Sequence, residues 1–327
     1  MTFKIGRVAY TRPYLLADTA ELALLYGSFD QISEGDLLSI IKQSPKSAGE
    51  LMPLSDPDID GDGEDDRLDG AEQTDQQQKY IEECFRQIEF RISAFGDAYP
   101  FELKQNILYA KNDHSAYQTL YIFLLCCART RSFSKRSMNR LADEFEKVCG
   151  RALAKMLPDN ASVYLFGPNA RRAGGIFSTN LIQAIPTLAR LMGTDLGRNW
   201  QRNLNPQGDG KIDLIGIVPF DTFSHGYHVI IGQCAAMEDE SNWQKKRLEA
   251  LALSRRGLFA PLGDPQAALF FPACFRGPDG QWVDLDDVSG VIPIDRLRLV
   301  HVFSVSNDQP TFAEQHLKDA LAGEQVV

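Results

Sequence analysis

At 327 residues the chain exceeds what one small core organises, and 44% hydrophobic with 24% charged residues excludes wholesale disorder. The formal charge of −10 is concentrated: residues 56–75 hold ten acidic side chains and one basic, so the other 307 residues carry 34 acidic and 33 basic groups and have room for local basic patches. Six cysteines without a C-x-x-C pair, an amino terminus (MTFKIGRVAYTRPYLL) without a signal peptide's apolar run, and no stretch apolar enough to cross a bilayer point to a soluble protein of a reducing cytoplasm.

After a short strand-like run, TAELALLYG and EGDLLSIIKQ carry apolar residues at helical spacing. Residues 55–78 have almost no large apolar side chain, and the sequence predicts an acidic loop there. Residues 79–100 are expected to be helical, and FELKQNILYAKNDHSAYQTLYIFLLCCART, rich in Leu, Ile and aromatics, is expected to form a core helix pair. The basic turn RTRSFSKRSMNR (129–140) then separates a mainly helical N-terminal domain, 1–138, from a second domain, 139–327.

In the second domain LADEFEKVCGRALAKML has helical spacing through Leu141, Phe145, Val148, Leu153 and Leu157. ASVYLFG reads as a strand and TNLIQAIPTLARLMG as a helix interrupted at Pro186. The turn NPQGDG leads into the strand KIDLIGIVPF, followed by the strand YHVIIGQCAA and the helix SNWQKKRLEALALSRR with Ser241 as N-cap. AALFFPACF and RLVHVFSV read as strands, and a last helix starts near Thr311. Continuous apolar strands alternating with helices imply an α/β fold, a central mixed sheet covered on both faces.

Asp213 interrupts an apolar strand just after a glycine turn, four residues beyond Asp209, where a carboxylate is reachable by a metal ion and a phosphate. Gln233 interrupts the neighbouring strand, and strand periodicity sets it on one face with Ala235. Its amide oxygen is a neutral ligand, whereas Ala235 brings nothing to proton transfer. Lys245 and Lys246 open the next helix; Lys246, three residues after Trp243, is the better placed to stabilise charge beside the strand end. Glu146, with Glu144 as second choice, sits on the helix preceding the first strand. Basic clusters that include Arg136 and Arg140 before the domain, and Lys245 and Arg247 after its third strand, suit phosphate contacts.

The order helix, three strands, helix, strand, with GDGKID on the second strand and GQCA in place of an E-x-K tripeptide, resembles the PD-(D/E)xK, or restriction-endonuclease-like, nucleases over residues 141–275. The NWxxK helix adds a similarity to uncharacterised nuclease-like proteins of prokaryotic anti-phage defence. The resemblance implies a restriction-endonuclease-like mixed sheet flanked by helices and hydrolysis of DNA phosphodiesters with Mg²⁺ or Mn²⁺. On it, Asp213 is the main metal ligand, Asp209 and Glu146 are supporting carboxylates, Gln233 is a neutral ligand and Lys246 the charge stabiliser; an ATPase or helicase is the implied protein partner. The alternative is a catalytically degenerate relative that binds nucleic acid or scaffolds such a partner.

Two other constellations compete. Asp58, Asp60, Asp62, Gly63, Glu64, Asp66 and Asp69 fall at the ligand and turn positions of a calcium loop, but Pro53 and Pro57 exclude its entering helix, so an acidic loop is preferred to Ca²⁺ binding at 58–69. His225 and His228 lack a third ligand and read as turn residues.

Overall fold

A computed structural model describes residues 12–43, 70–173, 175–202, 204–206, 210–221, 226–236, 245–249, 251, 257–260, 263–306, 308–322 and 324. The first helices follow the sequence pattern: α1 spans Pro13–Tyr26 and α2 spans Glu34–Gln43. Helix α1 is buried on every side from Tyr14 to Leu24, its polar residues Asp18, Thr19 and Glu21 included. Helix α3 (Gly70–Phe95) starts well before residue 79, so 70–78 belong to a helix and not to the expected acidic loop. Alanine, glutamate and glutamine favour helix there, and Gln78 ties the segment to Glu34 of α2 at 3.3 Å.

The expected helix pair over 101–128 is a hairpin followed by one helix. Strands β1 (Phe101–Lys104) and β2 (Ile107–Ala110) pair antiparallel around Gln105 and Asn106, whose φ values of 51° and 59° make a two-residue primed turn. Helix α4 (Ala116–Ala128) follows, its start closed by a capping box between Ser115 and Gln118. Helix α5 (Lys135–Met156) is capped by Ser134 and absorbs the second half of the basic turn. It presents Leu141, Phe145, Val148 and Leu153 to the core, as their spacing predicts.

The second half contains β3 (Ser162–Leu165), α6 (Pro168–Arg172), α7 (Leu181–Leu191), β4 (Asp195–Leu196), β5 (Leu214–Val218), β6 (His228–Cys234), a helix α8 over 245–249, β7 (Phe259–Ala260), β8 (Gln266–Phe270), β9 (Ile292–Ile294), α9 (Arg296–Val305) and α10 (Phe312–Leu321). Five strands form a mixed sheet in the order β3-β5-β6-β8-β9. The first three are antiparallel neighbours; β6-β8 and β8-β9 are parallel. Side chains of β5 and β6 alternate between two cores: Leu214, Ile230 and Cys234 pack with α5, while Ile215, Ile217, Val229 and Ile231 pack with α7. The fold is therefore α/β with a sheet covered on both faces. RLVHVFSV, expected as a strand, is helix α9: Asp295 caps it by accepting the Arg298 N–H at 3.0 Å, and tertiary packing overrides its β-branched residues.

The sequence places a domain boundary at 138/139. It falls within α5, and one apolar cluster runs from Leu16 through Phe145 to Ala320. The fully buried charged side chains of this region include Asp18 and Glu21 of α1, Arg91 of α3 and Arg296 of α9. Arg91 meets Asp18 and Glu21 at 2.7 Å each, and Arg296 grips Asp18 with two bonds of 3.0 and 2.9 Å. The hydroxyls of Tyr99 and Tyr121 donate to Glu21 at 2.7 and 2.8 Å. Each charge has an opposite partner and further hydrogen bonds, the condition for burial to be tolerated.

All six cysteines are free and buried. No helix among the described residues is long and apolar enough to cross a membrane.

Candidate active site

GDGKID enters β5 through a left-handed turn. Gly210 and Lys211 have φ of 66° and 63°; glycine adopts this freely, and a side chain at 210 would also crowd Leu181. The turn presents the Lys211 carbonyl to the side-chain amide of Gln233, which donates to it. Asp213 then joins the sheet: its N–H donates to the Gly232 carbonyl at 3.1 Å, and its carbonyl accepts from the Phe166 N–H at 2.8 Å.

Asp213 is 4% exposed overall and its Oδ2 accepts the Cys234 N–H at 2.8 Å. Lys246 Nζ of α8 lies 3.6 Å from the same oxygen and donates to Gln233 Oε1 at 3.1 Å. The three residues singled out in the sequence thus converge. Gln233 is doubly oriented, its NH₂ on a carbonyl and its oxygen on an ammonium. A glutamate there would set a carboxylate oxygen against the Lys211 carbonyl, a physical reason for an amide in this strand. Glu249, three residues beyond Lys246, pairs with Lys211 at 3.1 Å and fixes α8 against the turn. Ala235 contributes only packing: it is buried among Leu269 and Phe271, with its N–H on the Phe270 carbonyl at 2.8 Å.

Glu146 reaches the same end of the sheet from α5. Its Oε2 would stand 2.9 Å from a Cβ on Gly167, the residue after Phe166, whose N–H holds Asp213. Burial pushes the Cys149 thiol of α5 and the Cys234 thiol of β6 up, and the charges of Glu146 and Asp213 add to this. Both carboxylates are therefore within electrostatic reach of one thiol pair, and the thiols stay protonated. Glu146 also lines a cavity of about 650 Å³ with Asp143, Tyr164, Asn169 and Phe177. Burial raises the Asp143 carboxyl above its usual range, against the opposing effect of the hydrogen bond from Asn169. Because the clash at Gly167 involves the far end of a flexible side chain, Gly167→Ala is expected to displace the Glu146 carboxylate with a stability loss of only about 1 kcal/mol. Thermal unfolding of the variant checks this, the midpoint barely moving.

Other expected site residues are engaged elsewhere. Glu144 is bound by His316 and, at 2.6 Å, by Lys147; burial favours its protonation, but these bonds hold its carboxyl below the usual range. It anchors α10 and does not face Asp213. Arg140 donates to the carbonyls of Asp319 (3.4 Å) and Ala322 (2.9 Å) at the end of α10. Arg247 donates to the Ser289 carbonyl at 3.1 Å and its hydroxyl at 2.6 Å. These two arginines staple elements together, a use no spacing rule reveals. Arg136 is exposed in the first turn of α5, about 15 Å along the helix from Glu146, and Lys245 is exposed at the start of α8. His228 is exposed at the start of β6. Asp209, His225, Ser241, Trp243 and the 58–69 loop lie outside the described residues.

The oxygens that hold the Lys246 ammonium, from Asp213 and Gln233, are hard donors of the kind Mg²⁺ takes, and with Glu146 they make two carboxylates and an amide. Among the described residues no three His, Cys, Asp or Glu side chains gather as a metal-ligand group. Mg²⁺ needs only one or two carboxylates when phosphate and water complete its shell, so this donor set fits it. No protein-family model, no curated protein and no solved structure matches the chain.

Proposed function

We propose that the protein is a Mg²⁺-dependent nuclease that hydrolyses phosphodiester bonds of DNA, with a PD-(D/E)xK-like site whose lysine has moved from the third strand to the following helix. The observation that carries this reading is the meeting of Lys246 with both Asp213 and Gln233, at 3.6 and 3.1 Å. The strand order supports it: α5, the antiparallel series β3-β5-β6, then α8 and the parallel strand β8.

In this reading Asp213, Gln233 and Glu146 would hold the metal ion, which when bound supplies Lewis-acid polarisation of the scissile phosphate. Asp213 is held rigid by the Cys234 N–H, so its carboxylate is preorganised. Lys246, 19% exposed at its side chain, donates to the attacking water or to the phosphate oxygen on which charge develops. Setting and partners follow the same resemblance: anti-phage defence, with an ATPase or helicase.

The test is cleavage of DNA and RNA by purified protein with Mg²⁺ or Mn²⁺, beside Lys246→Met. Wild-type cleavage and a fall of about 10²- to 10³-fold in the variant support the enzyme. Uncut DNA and RNA with either metal, at concentrations where the protein binds them, supports a silent nuclease relative acting as a nucleic-acid binder or scaffold.

A further inference from the structure

A second cavity, of about 400 Å³, lies on the other side of α6, lined by Pro168, Arg171, Arg172, Thr179, Asn180 and Pro206. Among the described residues that line it there are two guanidinium groups and no carboxylate. Arg171 is 3% exposed, and its position is built rather than incidental: its N–H donates to the Gly167 carbonyl at 3.1 Å, its Nη1 to the Thr179 carbonyl at 3.3 Å, and its guanidinium lies 5.5 Å from the centre of the Phe166 ring. Arg172 is exposed, with Nη1 donating to Asn169 Oδ1 at 3.1 Å.

The cavity is joined to the candidate active site on two sides. Phe166, beneath Arg171, holds the Asp213 carbonyl through its N–H at 2.8 Å. Pro206 accepts the Leu181 N–H at 2.8 Å, and Leu181 packs over Gly210 of the turn that delivers Asp213. A nucleic acid lying across the acidic centre meets repulsion from Asp213 and Glu146, and a neighbouring cationic hollow is what offsets it.

Building on the nuclease reading, we infer that Arg171 and Arg172 form a subsite for a backbone phosphate of the DNA, next to the bond that is cut. A planar guanidinium presents paired N–H donors to phosphate oxygens, and two of them in one hollow select a dianionic or diester phosphate over a neutral group. The contact is with the backbone, so it sets affinity and register without choosing a base sequence.

The test is fluorescence anisotropy of a labelled short DNA duplex and of its single strand, with Ca²⁺ replacing Mg²⁺, from about 50 to about 200 mM salt. Wild type is compared with Arg172→Ala, Arg171→Lys and Asp213→Asn, each checked for an unchanged circular dichroism spectrum. Arg172→Ala is expected to bind about tenfold more weakly, with a log–log salt slope shallower by about 1, whatever the DNA sequence. Arg171→Lys, which keeps charge but loses the planar fork, is expected to weaken binding less. Unchanged affinity and slope in Arg172→Ala overturn the inference, as does a wild-type protein that binds neither DNA form. The two readings fail separately. Weakened Arg172→Ala binding with DNA left uncut in Mg²⁺ sinks the nuclease and keeps the phosphate subsite; unaltered Arg172→Ala binding with cleavage lost in Asp213→Asn does the reverse.

Discussion

Replacing Asp213 with asparagine is expected to reduce Mg²⁺-dependent DNA cleavage by about 10³-fold or more while leaving the fold intact. The reasoning rests on what each oxygen does. Asparagine keeps an acceptor for the Cys234 N–H, now made to Asp213 Oδ2 at 2.8 Å, but removes the negative charge that faces Lys246 and would face a metal ion. Asp213→Ala removes the acceptor as well. It leaves a buried N–H without its partner and Lys246 without its carboxylate, so it is expected to cost a further ~1–3 kcal/mol of stability. Initial cleavage rates and urea unfolding of both variants separate chemistry from folding. Wild-type cleavage by Asp213→Asn would sink the nuclease assignment.

The largest stability effect is expected at Arg296, far from that chemistry. Arg296→Met removes the two bonds to Asp18 and leaves Arg91 alone to face both Asp18 and Glu21 in a region without solvent, and removing one member of such a buried network costs about 3–5 kcal/mol. Adding Asp18→Asn is expected to recover part of the loss, since Arg91 then has only the Glu21 carboxylate to balance. Denaturant unfolding of the single and double variants measures both.

The same network sets the response to acid. Burial alone would raise the Asp18 carboxyl, but the attraction of Arg296 and Arg91 outweighs it and holds the carboxyl below its usual range. A folded-state value below the unfolded one means the contribution is present in full above about pH 4 and is lost as pH falls through the folded value. Wild type is therefore expected to lose stability steeply below about pH 4, and Asp18→Asn to show a shallower acid limb in the same unfolding measurements.

This network joins residues on either side of 138/139. Arg296 lies on α9, after the sheet, yet its partners Asp18 and Glu21 are on α1, and its Nε donates at 2.8 Å to the Pro272 carbonyl just past β8. A composition change and a basic turn near 129–140 suggest a boundary, but the ion pairs span 278 residues of sequence and leave no local signature. Cys126, Cys127 and Cys149 behave as the small apolar side chains their sequence context suggests, packed in that same core.

The two functional expectations made on Gln233 and Lys246 differ in how they could be read. Gln233 was legible as a polar residue interrupting an apolar strand, because a fully buried position tolerates such a group only with partners. The choice of Lys246 over Lys245 followed from helical periodicity, and Lys245 is indeed exposed while Lys246 turns inward. Glu146 ranks before Glu144 on the sequence alone. What separates them is a contact: His316 and Lys147 take Glu144, whereas the missing side chain of Gly167 leaves room for Glu146. Arg171 and Arg172 form a visible pair, NARR, outside the larger basic clusters. Phe166 and Pro206 approach them only in the folded chain.

By itself the sequence determined the alternating α/β pattern of the second half, the apolar face of α5, and the polar interruptions at Asp213 and Gln233. These depend on local periodicity and on the cost of burying a polar group, both of which can be read a few residues at a time. Only the tertiary structure decided that RLVHVFSV is helical, that FELKQNILYA is a hairpin, that Arg140 and Arg247 are staples, and that Lys246 comes to Asp213. In each case the deciding interaction joins residues distant in sequence or works against local propensity, and packing, not periodicity, sets its outcome.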